Sequence, residues 1–345
     1  MKNSLKFNLD LEFLNSYIHY VENLVKNYSC FFPSNEKLKI NFDEEFFQKE
    51  MVNLNQMILE ITQKCNFRCR YCAFLGNYLY SRVHMDKSMA YEIARKSIDF
   101  FSSLVHSSNY INRPVSISFY GGEPFLEFAL IVKCIDYIYD VFDKSEVSIL
   151  ITTNGSLLTH KIIDFLIDKD IHLNISLDGP ACEHDKNRVF PNGKGIFNVV
   201  WRNIQTLYRE YYDYYIDKVG IQITYAPNHD IFNIKKFFEE NSFLINSLLT
   251  VNPIYQDDLA VKYQVYVENT KKVQSLFHMY KENIIKKTPD PFMNICFRRE
   301  FSDFKKMHYR PLKRFVKYTS SCSPGCQKLF VSADGQFHAC EKINR

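Results

Sequence analysis

Three cysteines, Cys65, Cys69 and Cys72, fall within eight residues in the run Ile61-Thr62-Gln63-Lys64-Cys65-Asn66-Phe67-Arg68-Cys69-Arg70-Tyr71-Cys72. Their spacing is C-x3-C-x2-C, directly after the apolar run Met57-Ile58-Leu59-Glu60-Ile61. A structural zinc site is closed by four ligands, and a ferredoxin-type cluster also takes four cysteines. Three thiolates on a loop after a strand predict instead a four-iron cluster with one iron open to another molecule. Such a cluster does chemistry at its open corner. Tyr71, just before the last cysteine, is an aromatic able to lie against a bound ring. A second group follows at Phe119-Tyr120-Gly121-Gly122-Glu123-Pro124. Paired glycines let a ligand approach the backbone closely, and the Glu123 carboxylate can accept hydrogen bonds from an ammonium group.

These loops need elements to hold them. Apolar runs at 57–62, 115–120, 147–153, 171–177, 219–225 and 247–252 read as strands. Helix-like segments at 87–105, 125–142, 159–168, 195–210 and 231–241 lie between them. In the first, Met89, Ile93, Ala94, Phe100, Phe101 and Leu104 keep the helical period. Strand–helix alternation predicts an α/β fold with parallel strands and right-handed crossovers. Six units are too few for the closed barrel of eight, so a partial (β/α)6 barrel is expected. Ligands in such sheets bind at the carboxyl ends of the strands, where the cysteine loop leaves the first strand.

The predicted organisation has four parts. Residues 1–52 form an amino-terminal extension, a cap or the remnant of a peptide-binding module. Residues 53–260 form the core, and 261–317 a helical, basic linker. From Lys271 to Lys317 that linker has thirteen Lys/Arg against four Asp/Glu, a solvated face or an electrostatic guide for an acidic peptide or redox partner. Residues 318–345 open a small cysteine-containing domain in which Asp334-Gly335 marks a hairpin. The net charge of +4 is too small to imply nucleic acid. The charged amino end is not a signal peptide, and no apolar run reaches the ~20 residues of a membrane span. Ten cysteines in such a chain read as metal ligands and buried thiols of a cytoplasmic protein. Cys30, Cys134, Cys182 and Cys296 are scattered and read as packing thiols.

The cysteine loop resembles that of the radical S-adenosylmethionine (radical SAM) superfamily, with its C-x3-C-x-aromatic-C pattern after the first strand of a partial barrel. The resemblance implies that Cys65, Cys69 and Cys72 hold a [4Fe–4S] cluster whose open iron binds the amino and carboxylate groups of S-adenosylmethionine. It implies one-electron cleavage to a 5′-deoxyadenosyl radical, with the electron from a reducing donor such as flavodoxin or ferredoxin. Gly121-Gly122-Glu123 resembles the family's GGE motif for the methionine amino group, and Thr152-Thr153-Asn154-Gly155 a segment lining the cofactor, with Asn154 its polar side chain. Ser176 and Asp178, in Asn174-Ile175-Ser176-Leu177-Asp178-Gly179-Pro180, alternate onto one face toward the ribose or carboxylate. In His184-Asp185-Lys186-Asn187-Arg188, Arg188 either pairs with the cofactor carboxylate or is part of a loop ordered through Asp185.

At the carboxyl end, Cys322, Gly335 and Cys340 form a C-x12-G-x4-C element resembling the start of a SPASM domain, which carries auxiliary [4Fe–4S] clusters. Cys326 is a further candidate ligand. Five residues follow Cys340, too few for the remaining cysteines of that domain, so a truncated or degenerate domain is expected. Gly76-Asn77-Tyr78, Arg82, His84 and the stretch around Leu329-Phe330-Val331 and Cys340-Glu341-Lys342 resemble maturases of ribosomally made peptides. The expected function is hydrogen abstraction from a peptide substrate, installing a thioether crosslink. Two alternatives stand beside it. One is an anaerobic sulfatase-type maturase that oxidises Cys or Ser to formylglycine. The other is an impaired Fe–S and SAM-binding protein that produces no 5′-deoxyadenosine.

Overall fold

The computed structural model describes residues 54–72, 74–75, 83–107, 115–245, 250–254, 263–297 and 328–338. The extension at 1–52, Cys30, Gly76–Tyr78, Arg82, Cys322, Cys326 and Cys340 lie outside the described residues, as does the linker beyond 297.

Six parallel strands form the sheet: β1 (Gln56–Thr62), β2 (Val115–Gly121), β3 (Val147–Thr153), β4 (His172–Ser176), β5 (Val219–Tyr225) and β6 (Thr250–Pro253). They lie side by side in chain order, and β7 (Lys328–Val331) and β8 (Phe337–His338) continue the sheet beyond β1. The sheet does not close, as the partial-barrel expectation requires. Between the strands run α1 (Tyr91–Ser107), α2 (Phe128–Val141), α3 (His160–Asp168), α4 (Ala181–Asn187), α5 (Phe197–Glu210), α6 (Tyr212–Lys218) and α7 (Ile231–Glu240), with α8 (Tyr263–Lys286) after β6.

A parallel sheet covered on both faces reads as continuous apolar runs. Here β1 is buried along nearly its whole length, whereas β3 and β4 alternate strictly between buried and half-buried residues. One face carries Ile117 beside Ile149, Ile151 beside Leu173, and Ile175 beside Ile221. All six are buried in the main apolar core. The other face carries Thr152 beside Asn174, Ser176 beside Gln222, and Thr224 beside Asn252. Side chains on one face of a strand recur every second residue, so the registers gather these neutral hydrogen-bonding groups into one inner surface.

The start of the first predicted helix moves. The first helix begins at Tyr91 and not at 87, because the preceding backbone is already engaged with the end of β1. Gln63 N donates to Lys87 O and Met89 N donates to Ile61 O, both at 2.8 Å. The predicted hairpin forms, with Phe330 opposite His338 and Gly335 in the left-handed region at φ +84°. Its first strand also pairs in parallel with β1, from Gln56 opposite Lys328 to Leu59 opposite Val331. The clasp is completed by Glu60, fully buried, which accepts from Ala333 N at 2.9 Å and from Gln63 Nε2 at 3.1 Å. Cys134 is a core thiol, as expected, whereas Cys182 is exposed.

Candidate active site at the carboxyl rim

The cysteine loop begins where β1 ends, and the backbone fixes its course. Arg68 N donates to Val189 O and Arg70 N to Asn187 O, each at 2.8 Å. Two backbone N–H groups point at thiols, Phe67 N at Cys65 Sγ and Phe74 N at Cys72 Sγ, both at 3.4 Å. His84 sits against the third cysteine, its Nε2 3.7 Å from Cys72 Sγ and its Nδ1 3.0 Å from Gln63 O. A carbonyl only accepts, so Nδ1 carries the proton.

The thiols are close enough to feel one another's charge. Burial pushes Cys65 up to about 11 and Cys69 up to about 12, and raises Cys72 as well. A thiolate here therefore needs a cation at the sulfur to offset desolvation, which a bound iron supplies. Among the described residues, no group of three or more His, Cys, Asp or Glu is arranged to hold a metal ion. A four-iron cube with one open corner takes one thiolate at each of three separate irons. Three neighbouring thiols, two of them receiving backbone N–H bonds, fit such a cluster.

Within the chain the glycine pair meets the backbone of the cysteine loop. A Cβ on Gly121 would lie 2.1 Å from Thr62 O, and one on Gly122 1.9 Å from Lys64 O and 3.1 Å from Cys65 Cβ. Gly122 N donates to Thr62 O and Glu123 N to Lys64 O, both at 2.8 Å. The absent side chains thus let two backbones meet, and the β2 loop clamps the base of the cysteine loop. Gly121 adds a φ of +143°, which only glycine adopts without strain.

Glu123 also turns inward and is fully buried. Its carboxylate accepts from Asn154 N at 2.8 Å, Thr153 Oγ1 at 2.7 Å and Phe125 N at 3.2 Å. Burial pushes this carboxyl up to about 7, against the pull of those three donors. Glu123 is thereby the tie between the ends of β2 and β3. Asn154 continues the tie, because its Nδ2 donates to Asn66 Oδ1 at 2.8 Å while Asn66 Nδ2 donates to Ser156 Oγ at 2.9 Å. Asn66, inside the cysteine loop, was not singled out by sequence. Its only signal was its place next to Cys65.

The second wall is built on Asp178 and Arg188. Arg188 Nε donates to Asp178 Oδ2 at 2.8 Å and its terminal nitrogen to Oδ1 at 3.2 Å. Thr224 N adds a bond to Oδ1 at 2.8 Å, and the Tyr71 hydroxyl donates to Oδ2. Burial is the largest single influence on Asp178 and opposes its ionisation, but the charge and hydrogen bonds of Arg188, with smaller contributions around it, together outweigh burial and hold the carboxyl below its usual range. The Arg188 guanidinium also lies 5.3 Å from the centre of the Tyr71 ring, and its charge reaches Cys69. Within the chain Arg188 therefore pairs with Asp178. Asp185 accepts from Ile196 N and Phe197 N at 2.8 and 2.9 Å and anchors the start of α5. Ser176 differs from the rest. It is half-buried at the end of β4, and its hydroxyl bonds to no other described residue.

Comparison with known proteins agrees with this geometry. The model of the radical SAM superfamily matches residues 59–240, more than half of the chain. The radical SAM cyclopropyl synthase TigE of Paramaledivibacter caminithermalis is 25% identical over 279 residues, covering 74% of this chain and 54% of that protein. A cysteine-type anaerobic sulfatase-maturating enzyme of Clostridium novyi is 27% identical over 203 residues, covering 56% of this chain and 50% of that one. The chain spans about half the length of the curated relatives it matches. Among solved structures, native anSMEcpe with bound AdoMet has the same fold, with a TM-score of 0.61 at 19% identity over 84% of this chain and 75% of that one. No described helix is long and apolar enough to cross a membrane. With three thiols on the loop after β1, an open, mostly parallel sheet whose strands β1 to β6 lie in chain order, and a family match across its core, the chain belongs to the radical SAM superfamily.

Proposed function

We propose that Cys65, Cys69 and Cys72 hold a [4Fe–4S] cluster with S-adenosylmethionine at its open iron, and that the chain modifies a peptide by hydrogen abstraction. When bound, this pair supplies a 5′-deoxyadenosyl radical through one-electron cleavage of the sulfonium. The observation that carries the reading is the three-thiol loop at the carboxyl rim, clamped by Gly121 and Gly122 and enclosed by the Glu123 and Asp178–Arg188 walls. The chain's own part is to hold these groups still and to keep water from the reacting atoms. Ser176 and Asn174, half-buried on the inner face, supply neutral hydrogen bonds to cofactor or substrate. An external one-electron donor, a flavodoxin or a ferredoxin, completes the requirement. Cys322, Cys326 and Cys340 as ligands of an auxiliary cluster belong to the same proposal and rest on their sequence spacing.

A peptide substrate is supported by the Thr, Asn, Ser and Gln side chains of the inner surface, which suit backbone amides. It is also supported by relatives named as sulfatase-maturating enzymes and by the fold shared with anSMEcpe bound to AdoMet and the Cp18Cys peptide. The bond we favour is a thioether between a cysteine sulfur and a carbon. Oxidation to formylglycine is the second reading, carried by those same relatives.

The test is anaerobic reconstitution with iron and sulfide, then reduction in the presence of S-adenosylmethionine. The wild-type chain should release 5′-deoxyadenosine, and C65A, C69A and C72A should not. Incubation with a cysteine-containing peptide encoded beside the gene should remove two hydrogens and leave a crosslink that survives fragmentation. A hydrazine-reactive aldehyde would replace the thioether by the formylglycine reading. Absence of 5′-deoxyadenosine from a fully loaded chain would leave only the non-catalytic reading.

A further inference from the structure

The stretch that carries Cys69 has two faces. Arg68 N donates to Val189 O in the segment just after α4, and Arg70 N to Asn187 O at the end of α4. Exposure alternates along the stretch: Phe67 and Tyr71 are buried, Cys69 is half-buried, and Arg68 and Arg70 are exposed. Cys69 and Arg188 face inward, where the Arg188 charge acts on the thiol. Arg68 and Arg70 face outward and are exposed. The segment then turns back on itself, Phe190 N donating to Lys194 O at 2.9 Å and Val189 bridging Gly195. Lys194 on that turn is exposed as well.

Charge compensation differs sharply across this rim. Lys64 is paired with Asp86 at 3.1 Å and Glu127 at 3.2 Å, and Lys87 with Asp334 at 3.4 Å. Lys186 is paired with the buried Glu183 at 2.6 Å. Arg68, Arg70 and Lys194 have no acidic partner among the described residues. The Arg68 guanidinium binds only carbonyls, Cys65 O and Phe67 O at 2.7 Å. Three uncompensated cations therefore sit on the small unit whose inner side presents Cys69.

We propose that this outer face, Arg68, Arg70 and Lys194, is where an acidic one-electron carrier protein docks. The proposal rests on the cluster assignment above. An electron from a protein donor must cross a short distance, and the exposed Arg68 and Arg70 are the immediate chain neighbours of Cys69. Opposite charge raises encounter rates by ~10- to 1000-fold and makes them fall steeply with salt. The inner surface is left free for cofactor and substrate.

The experiment compares reconstituted full-length wild type, R70E and K194E. Cluster reduction is followed by its visible absorbance, first with reduced flavodoxin and then with reduced methyl viologen, a small cation. Charge reversal should slow reduction by flavodoxin roughly tenfold and flatten its salt dependence. With the viologen, the rate should stay the same or rise. An unchanged flavodoxin rate in both variants would overturn the proposal. So would an equal loss with both reductants, or a loss of peptide binding at an unchanged flavodoxin rate. The last result would assign the face to an acidic peptide. Because the readout is cluster reduction, it stands apart from whether any peptide is modified. A wild-type chain that builds no cluster would instead sink the underlying reading.

Discussion

Replacing Glu123 by glutamine should change the pH dependence of stability in a calculable way. The carboxyl is fully buried, and burial pushes it up to about 7 from the ordinary 4.5. The folded chain therefore keeps a proton that the unfolded chain has released. Wild-type stability should fall as pH rises from 4.5 to about 7, with the loss complete above that range. At about 1.4 kcal/mol per pH unit, the gap corresponds to ~3 kcal/mol. Glutamine carries no charge at any pH, so E123Q escapes this loss. It gives up ~1 kcal/mol at low pH, because both carboxyl oxygens can accept from the surrounding donors whereas the NH2 group of glutamine cannot. His184, fully buried and pushed down to about 3 by burial, gives a slope of opposite sign. That slope is common to both proteins and cancels in their difference. The assay is urea unfolding of the metal-free, reduced chains at a series of pH values. E123Q should gain on wild type by ~3 kcal/mol between pH 4.5 and pH 8. A difference that does not vary with pH would refute the claim that Glu123 is held in a desolvated tie between β2 and β3.

Three further outcomes follow from the same geometry. G122A forces a Cβ to within 1.9 Å of Lys64 O, so it should destabilise the chain by roughly 1–3 kcal/mol and lower the iron retained per chain after reconstitution. D178N leaves the buried Arg188 without its charge partner, which should cost roughly 3–5 kcal/mol by thermal or urea unfolding. The paired change D178L/R188M should recover much of that loss. E60A removes the acceptor of Ala333 N, so hydrogen exchange at residues 331–336 should quicken, at a cost of roughly 1–3 kcal/mol. E60Q, which keeps an acceptor oxygen, should preserve most of the protection.

Much of this protein is legible locally. The cysteine loop, the turn at Asp334-Gly335 and the strand–helix alternation depend on neighbours within a few residues, and all appear where their patterns put them. The short α4 and α6 were missed because seven-residue helices offer too little periodicity. The inner face escaped notice for another reason. Alternating serines, threonines and asparagines look unremarkable strand by strand, and only the registers of five adjacent pairs gather them into one surface.

The side-chain roles divide along the same line. Sequence alone determined which residue types stand at the rim, because backbone spacing and strand ends are local properties. The partners of those residues were decided by the fold. Glu123 meets Thr153 and Asn154 from the next strand. Arg188 reaches back over α4 to Asp178, and β7 returns from the far end of the chain to pair with β1. A buried carboxylate takes whatever donors the packing leaves within about 3 Å, and that distance is set by tertiary contacts between segments far apart in the chain.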